Sequence, residues 1–175
     1  MLFSGLTKKQ VNEMKKLALY FLLLLALPSG LLAQTIKTVG TGANYARLKL
    51  AFDAINSGII TGNIVLQIIN NTAESQSAVL HESGYNGTSS YTSITIYPTV
   101  SGKTISGNIP GALIELHGAT NVTFDGRVNE SGSADLIISN TNTGTSSTTL
   151  RFIDDAQTNL VEYCTIKGSD AGGRS

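Results

Sequence analysis

Few side chains in this sequence could do acid–base or metal chemistry. Asp154 and Asp155 form the one adjacent pair of acids, and paired carboxylates can cleave glycosidic bonds or bind calcium. Asp125, Arg127 and Arg151 could in principle share one outer sheet face. We expect Asp154 and Asp155 to lie in a turn, because aspartate side chains there bond to nearby backbone amides. The sequence therefore assigns no catalytic residue.

The histidines and the cysteine form no metal-binding pattern. His81 and His117 are isolated, with no Cys or His at the spacing of a zinc site. Cys164 has no second cysteine to pair with. A lone Cys in a strand-like run is typically a small buried apolar residue rather than a reactive thiol. We predict no metal site and no disulfide framework.

Two glycine-containing segments imitate phosphate-binding loops. Residues 40–42 read Gly-Thr-Gly between a strand pattern and a helix pattern, but Tyr45 stands where a dinucleotide fingerprint has its third glycine. Residues 101–104 end like a P-loop, yet Tyr97 replaces the leading glycine. We interpret the first segment as the turn into a helix and the second as a turn before a strand. No cofactor is expected.

Charge and composition exclude some classes of function. The 175 residues carry 12 basic and 12 acidic side chains, only 14% of residues are charged, and the net charge is zero. Such a chain lacks the positive field that would hold nucleic acid. Its 41% hydrophobic content is enough for a packed core, unlike that of a disordered chain.

The N-terminal 33 residues resemble an extension followed by a signal peptide. Lys15 and Lys16 precede the apolar run Leu17–Leu27, and Ala33 offers a small residue before a cleavage point at Gln34. The run has 11 residues, whereas a spanning helix needs about 20. A cleaved signal is therefore favoured over a retained anchor, and we expect no stable membrane span after cleavage.

The remaining sequence predicts many short strands. Apolar runs of strand length alternate with segments rich in Gly, Asn, Ser, Thr and Asp. The runs are Ile64–Ile69, Ile94–Tyr97, Leu113–Leu116, Val122–Phe124, Leu136–Ile138, Leu150–Ile153 and Leu160–Ile166.

One segment has helical periodicity instead. Apolar residues recur at three- and four-residue steps, so the spacing predicts a helix over 45–56. Asn44 is the expected N-cap and Gly58 the expected stop. The predicted apolar face consists of Tyr45, Leu48, Ala51, Phe52 and Ile55.

A weak internal repeat decides between two strand arrangements, a closed sandwich or barrel and a stacked solenoid. Leu113–Leu116 and its following loop resemble Leu150–Ile153 and its loop, with Ala119 matching Ala156 and Asn121 matching Asn159. These offsets of 37 and 38 residues leave room for three short strands per repeat. They favour the solenoid.

We therefore predict an all-β fold, a right-handed parallel β-helix in which apolar side chains stack inside the coil. Residues 1–33 hold the extension and signal-peptide helix, and residues 34–62 hold the α-helix, which would cap the open end of the coil. Residues 63–175 would form the coils, and the chain would be an N-terminal fragment with strand edges exposed at its last coil. Such a fragment should associate.

Several segments also resemble the N-terminal region of secreted Bacteroidetes-type β-helix proteins of the pectin-lyase-like superfamily. The resemblance covers about residues 35–168, and its segments are Thr38–Gly42, Asn44–Leu48, Ala51–Asn56, Ile94–Pro98, Asn121–Gly126 and Tyr163–Ile166. It implies the β-helix fold, export to the medium or outer cell surface, and further downstream domains of the same protein. It leaves activity open, because one fold hosts lyases, hydrolases and inert scaffolds.

The expected function is a non-catalytic secreted or cell-surface scaffold, which is either structural or adhesive or contacts polysaccharide or cell-surface glycan. Its carbohydrate-binding residues are unknown from the sequence. The alternative is the N-terminal part of a polysaccharide lyase or glycoside hydrolase whose catalytic residues lie further along the gene. A third hypothesis, a jelly-roll carbohydrate-binding module, predicts antiparallel strands.

Overall fold

The structure is a computed structural model that describes residues 7–25 and 33–169. The predicted cleavage segment before Ala33 and the last six residues lie outside these ranges. Internal contacts divide the chain into two units, residues 1–32 and 33–175.

The first unit contains helix α1, Lys8–Leu25. At its start the Thr7 backbone N–H donates to the side-chain oxygen of Gln10 (2.9 Å), and the Gln10 backbone N–H donates to the Thr7 hydroxyl (3.3 Å). This reciprocal pair is a capping box, which satisfies N–H groups that have no partner within the helix. Within the described residues, no helix combines the length and apolar character needed to cross a membrane.

The second unit is built mainly of β-strands, with one α-helix and two short 3₁₀ helices in its described part. The elements in chain order are β1 Gln34–Val39, α2 Leu48–Asn56, β2 Gly62–Ile68, β3 Thr72–Glu74, β4 Ala78–His81, the 3₁₀ helix Tyr85–Gly87, β5 Tyr91–Pro98, β6 Lys103–Gly107, β7 Ala112–His117, β8 Val122–Asp125, the 3₁₀ helix Val128–Glu130, β9 Leu136–Asn140, β10 Thr148–Ile153, β11 Leu160–Glu162 and β12 Cys164–Lys167.

The strands form three sheets in which every pairing of named strands is parallel. Their orders are β1-β2-β5-β8-β11, β3-β6-β9-β12 and β4-β7-β10. From β2 onward, each strand pairs with the strand three places later, so the chain visits the three sheets in rotation. The parallel pairing contradicts the jelly-roll hypothesis.

All seven predicted apolar runs coincide with strands, although Ile69 lies just past the end of β2 and the run 160–166 is divided. Tyr163 separates β11 from β12 because it has a φ of +54°, outside the extended region. β3 and β4 were not predicted from the sequence. β3 has only three residues, and two of them, Thr72 and Glu74, are polar yet buried.

The core lies between the sheets and is formed by inward side chains in register. Leu66, Ile96 and Phe124 occupy paired positions on β2, β5 and β8, and all three are fully buried. Ile105 and Ile138 do the same on β6 and β9. Each such side chain contributes about 1.5–3 kcal/mol when it leaves water.

Helix α2 presents its predicted face to this core, but it begins later than predicted. Leu48, Ala51, Phe52 and Ile55 are fully buried, and Tyr45 packs against the core from outside the helix. The prediction of Asn44 as N-cap was wrong. Its side-chain oxygen accepts instead from the backbone N–H of Thr38 at 2.9 Å, because the chain folds back on β1 here.

The N-terminal end of α2 is capped from another element, and its C-terminal end is as predicted. The N-cap residue Arg47 makes no capping hydrogen bond with its side chain; the buried carboxylate of Glu74 on β3 accepts from the first helical N–H groups instead. At the other end, Gly58 has a φ of +74° and follows the C-cap Ser57, which is the usual place for a left-handed glycine.

Two side chains from the α2 region bond to the free edges of β3 and β4. Arg47 Nε donates to the carbonyl of Ala73 on β3 (2.9 Å). The Asn56 side chain donates to the carbonyl of Val79 (2.9 Å) and accepts from the N–H of His81 (3.0 Å), both on β4. These bonds occupy backbone groups that a neighbouring strand would otherwise use.

Asparagine side chains bond to backbone groups of other segments of the chain. The buried amide of Asn140 accepts from Ile109 N–H and donates to the carbonyls of Ile109, Gly111 and Thr148. Asn159 accepts from Val122 N–H (2.9 Å) and donates to the carbonyl of Ala119 (2.8 Å). The predicted repeat is correct to within about a residue: Leu150 pairs with Ile114 and Leu160 with Thr123.

Candidate functional site

In the described part of the chain, a group of interacting ionisable side chains lies on the outer face of the β4-β7-β10 sheet. Leu80 and Leu116 point into the core, so their neighbours in each strand point outward. The register aligns Val79, Glu115 and Arg151 in one outward row and His81, His117 and Ile153 in the next. The sequence prediction that His81 and His117 are isolated was wrong, because their rings lie 4.9 Å apart, centroid to centroid.

His117 lies between two carboxylates. Its Nδ1 is 3.4 Å from Glu115 Oε1, and its Nε2 contacts Asp154 Oδ2. The His117 side chain is 35% exposed and the Asp154 side chain 65% exposed, so both can be reached from solvent. A protonated imidazole here could donate to both carboxylates, and a neutral one to either.

Glu115 is only 7% exposed and also pairs with Arg151. Arg151, one strand away, contacts the Oε2 atom of Glu115 with two nitrogens, Nε at 2.7 Å and Nη2 in close contact, while His117 faces Oε1. A buried carboxylate needs such charged and hydrogen-bonded partners to stay ionised. The ion pair between Glu115 and Arg151 therefore links β7 to β10.

His81 is in a less polar setting than His117. Its ring stacks on Tyr85, with 3.7 Å between centroids and 4° between planes, and its Nδ1 is buried without a hydrogen-bond partner in the described chain. Burial, and then the neighbouring His117, lower the pKa of His81, while Glu82 and Glu115 act in the opposite direction. The neutral imidazole is the favoured form.

Asp125 and Arg127 form a second cluster on a different sheet. Arg127 Nη2 lies 2.6 Å from Asp125 Oδ2 and 3.6 Å from Glu162 Oε1, and its guanidinium carbon is 4.3 Å from the centroid of the Tyr163 ring. Hydrogen bonding from Arg127 lowers the pKa of Asp125. Arg151 lies on the β4-β7-β10 sheet, so the three residues do not share one face as considered from the sequence.

Asp154 and Asp155 follow β10 in a turn, as predicted, with φ values of +51° and +59°. The reason differs from the prediction, because the Asp154 carboxylate bonds to His117 across the sheet.

Cys164 is half-buried against the core, less than predicted, and its thiol lies 3.7 Å from the carbonyl oxygen of Phe124. Burial raises the pKa of this thiol to about 12, which disfavours the reactive thiolate.

The two glycine-containing segments form turns. Gly40 and Gly42 have positive φ and precede α2, and Gly102 has a φ of +70° immediately before β6.

The polar clusters do not converge on a metal-binding geometry. Over residues 7–25 and 33–169, no group of three or more His, Cys, Asp or Glu side chains is arranged to hold a metal ion. The Glu115–His117–Asp154 group can hold and move a proton, since an imidazole hydrogen-bonded to carboxylates is a common acid–base unit. No family model, curated protein or solved structure matches the chain.

Proposed function

We propose that residues 33–169 form coils of a right-handed parallel β-helix that serves as a secreted or cell-surface scaffold. The observation that supports this is the parallel pairing of each strand from β2 onward with the strand three places later. Parallel crossovers within one sheet are right-handed in nearly all proteins. Helix α2 is the cap of this coil, since it packs on β3 and β4, the first strands of two sheets.

Export is the second part of the proposal. The basic pair Lys15 and Lys16 and the apolar run that follows are typical of a signal peptide. Expression of the full chain in a bacterium, followed by fractionation and N-terminal sequencing, tests it. We expect an exported chain that begins near Gln34; an intact N-terminus in the cytoplasm would contradict export.

Carbohydrate is the proposed ligand, and the outer face of the β3-β6-β9-β12 sheet is its proposed contact surface. Thr104 pairs with Ile137, Ser106 with Ser139, and Thr165 with Ile137, so hydroxyl and methyl groups recur there. These side chains are half-buried or exposed. Such a face can donate and accept hydrogen bonds with sugar hydroxyl groups without a charge requirement.

Binding to a panel of immobilised polysaccharides tests the carbohydrate proposal. Ser139→Arg places a long side chain at the centre of the proposed face and should abolish binding. Thr92→Arg, an exposed position at the five-stranded sheet, is the matched control and should leave binding unchanged. Equal loss in both variants, or no binding by the unaltered chain to any polysaccharide, would contradict the proposal.

A polysaccharide lyase or glycoside hydrolase is the alternative, and the Glu115–His117–Asp154 group is the observation that favours it. The test is release of unsaturated or reducing ends from uronate-containing and neutral polysaccharides. Activity that disappears in His117→Gln would establish the alternative and displace the scaffold. Cleavage at the same rate in His117→Gln would locate the chemistry elsewhere.

A further inference from the structure

Two dipeptides of the chain can form a cyclic imide, Asn86-Gly87 and Asp125-Gly126. Asn86 is the only asparagine in the sequence that a glycine follows, and Asp125 is the only such aspartate. In both, the backbone nitrogen of the glycine can attack the side-chain carbonyl carbon of the residue before it, because a glycine has no Cβ to obstruct the approach. The structure places these two dipeptides in opposite surroundings.

The Asp125-Gly126 dipeptide is locked in place. Asp125 is 3% exposed, and its carboxylate accepts from the backbone N–H and the guanidinium of Arg127. The Gly126 N–H donates to the carbonyl of Glu162 at 2.9 Å, and a Cβ on Gly126 would lie 1.9 Å from the carbonyl oxygen of Tyr163. The reacting atoms therefore cannot turn toward each other unless the ends of β8 and β11 separate.

The Asn86-Gly87 dipeptide lies in the exposed 3₁₀ helix between β4 and β5. Asn86 is in the left-handed region, with a φ of +51° and a ψ of +20°. The Gly87 N–H donates to the carbonyl of Gly84 at 2.9 Å. Both glycines are exposed, and a Cβ built on either of them meets nothing within 4 Å. Solvent and the reacting groups therefore have free space here.

The attack requires this turn to open, because a ψ of +20° keeps the Gly87 nitrogen away from the Asn86 side chain. Opening breaks the bond from Gly87 N–H to the Gly84 carbonyl. That bond lies within the turn, so its loss leaves the pairing of β4 with β7 and of β5 with β2 intact. Exposed backbone hydrogen bonds of this kind open at low free-energy cost. The turn should thus open far more often than β8 and β11 separate.

We propose that Asn86 is a site of spontaneous chemical modification in the folded protein, at which the side-chain amide is lost through a cyclic imide. The Gly87 nitrogen forms a bond to Asn86 Cγ, the bond from Cγ to Nδ2 breaks, and ammonia leaves with the proton of the Gly87 amide. Water then opens the imide at either carbonyl. Opening at Cγ gives an ordinary aspartate, and opening at the backbone carbonyl gives isoaspartate, whose main chain runs through Cγ.

Isoaspartate at this position changes the surroundings of His81. It adds one carbon to the main chain between Tyr85 and Gly87. The bonds from Gly87 N–H to the Gly84 carbonyl and from Thr88 N–H to the Tyr85 carbonyl (3.1 Å) then cannot both be kept. The Tyr85 ring, which stacks on His81 with 3.7 Å between centroids, is released, and His81 becomes more exposed as the protein ages.

Storage of the purified full chain, followed by peptide mass spectrometry and labelling with an isoaspartyl methyltransferase, tests the site. The folded chain is compared with the chain in urea, in mildly alkaline buffer for Asn86 and in mildly acidic buffer for Asp125. We expect folding to slow the reaction of Asp125 at least about tenfold more than that of Asn86, because only the turn opens readily. A smaller difference, or no reaction of Asn86 in the folded chain, would overturn the proposal.

Two variants separate the chemistry from its effect on the turn. Gly87→Ala should slow the reaction in urea by at least about tenfold, since a Cβ hinders the close approach of the reacting atoms; an unchanged rate would contradict the imide route. Asn86→Asp carries the new charge on an ordinary main chain. It should keep the stack of Tyr85 on His81, read from the NMR shifts of the His81 ring, whereas the isoaspartate form should lose it. Loss of the stack in Asn86→Asp would contradict release by main-chain lengthening.

Discussion

Glu74 on β3 caps helix α2 by accepting a hydrogen bond from the backbone N–H of Leu48 at 2.9 Å. Its other carboxylate oxygen accepts from Lys49 N–H at 3.1 Å. The capping residue lies 26 positions after the N–H group that it caps. The start of α2 is therefore fixed by a strand that α2 covers, so that helix and sheet stabilise each other.

Removal of this cap should destabilise the chain. Glu74→Ala leaves helix N–H groups unpaired at a buried site, and we expect the free energy of unfolding to fall by about 2 kcal/mol. Glu74→Gln keeps one acceptor and should cost about 1 kcal/mol. Urea denaturation measures both, with the exposed residue Glu82 changed to Ala as control. An effect of Glu74→Ala no larger than the control's would contradict the capping role.

Among the asparagines that bond to other segments, Asn140 should be the one whose replacement lowers the free energy of unfolding most. It is 1% exposed and bonds to Ile109, Gly111 and Thr148. Asn140→Ala leaves several buried backbone groups without partners, so we expect a loss of about 3 kcal/mol in urea denaturation. Asn108→Ala removes an exposed amide and should change stability by less than about 0.5 kcal/mol. Similar losses in the two variants would show that burial of the amide is unimportant.

Gly126 and Gly111 provide a matched pair of glycine substitutions. A Cβ built on Gly126 would lie 1.9 Å from the carbonyl oxygen of Tyr163, whereas one on Gly111 meets nothing within 4 Å. Gly126→Ala should lower the melting temperature by an amount equivalent to at least about 2 kcal/mol, because backbone must move. Gly111→Ala should be neutral or slightly stabilising. A tolerated Gly126→Ala would mean that the ends of β8 and β11 separate there easily.

His81 should make stability depend on pH. Its pKa in the folded chain is lowered by burial and by His117, so the folded state takes up its proton less readily than the unfolded state. This contribution to stability is present above the ordinary pKa of about 6.5 and is lost as pH falls through the lowered value. Relative to His81→Gln, the unaltered chain should lose stability below about pH 6.5. A pH-independent difference would contradict this.

The apolar runs and the helical spacing were enough to locate most strands and the buried face of α2. The start of α2 could not be found in this way, because its cap is Glu74, far along the chain, while Asn44 is engaged by Thr38. Local capping patterns carry no information about such distant partners.

The histidine pair was missed although the sequence holds a signal for it. Glu115 and Arg151 are 36 residues apart in register, as are His81 and His117. The repeat read from the sequence had offsets of 37 and 38, and a one-residue error moves every side chain to the opposite face of its strand. Applying the offset of 36 to every ionisable residue would have placed these side chains together.

The order of elements along the chain has a consequence for biogenesis. β1 and α2 precede every strand that they cover, so the segment that occupies one end exists before the sheets begin to form. Whether the polypeptide folds as it leaves the ribosome or after translocation, each new strand can then pair with an earlier strand on one side only. Growth in a single direction shortens the time during which unpaired backbone is offered to other nascent molecules.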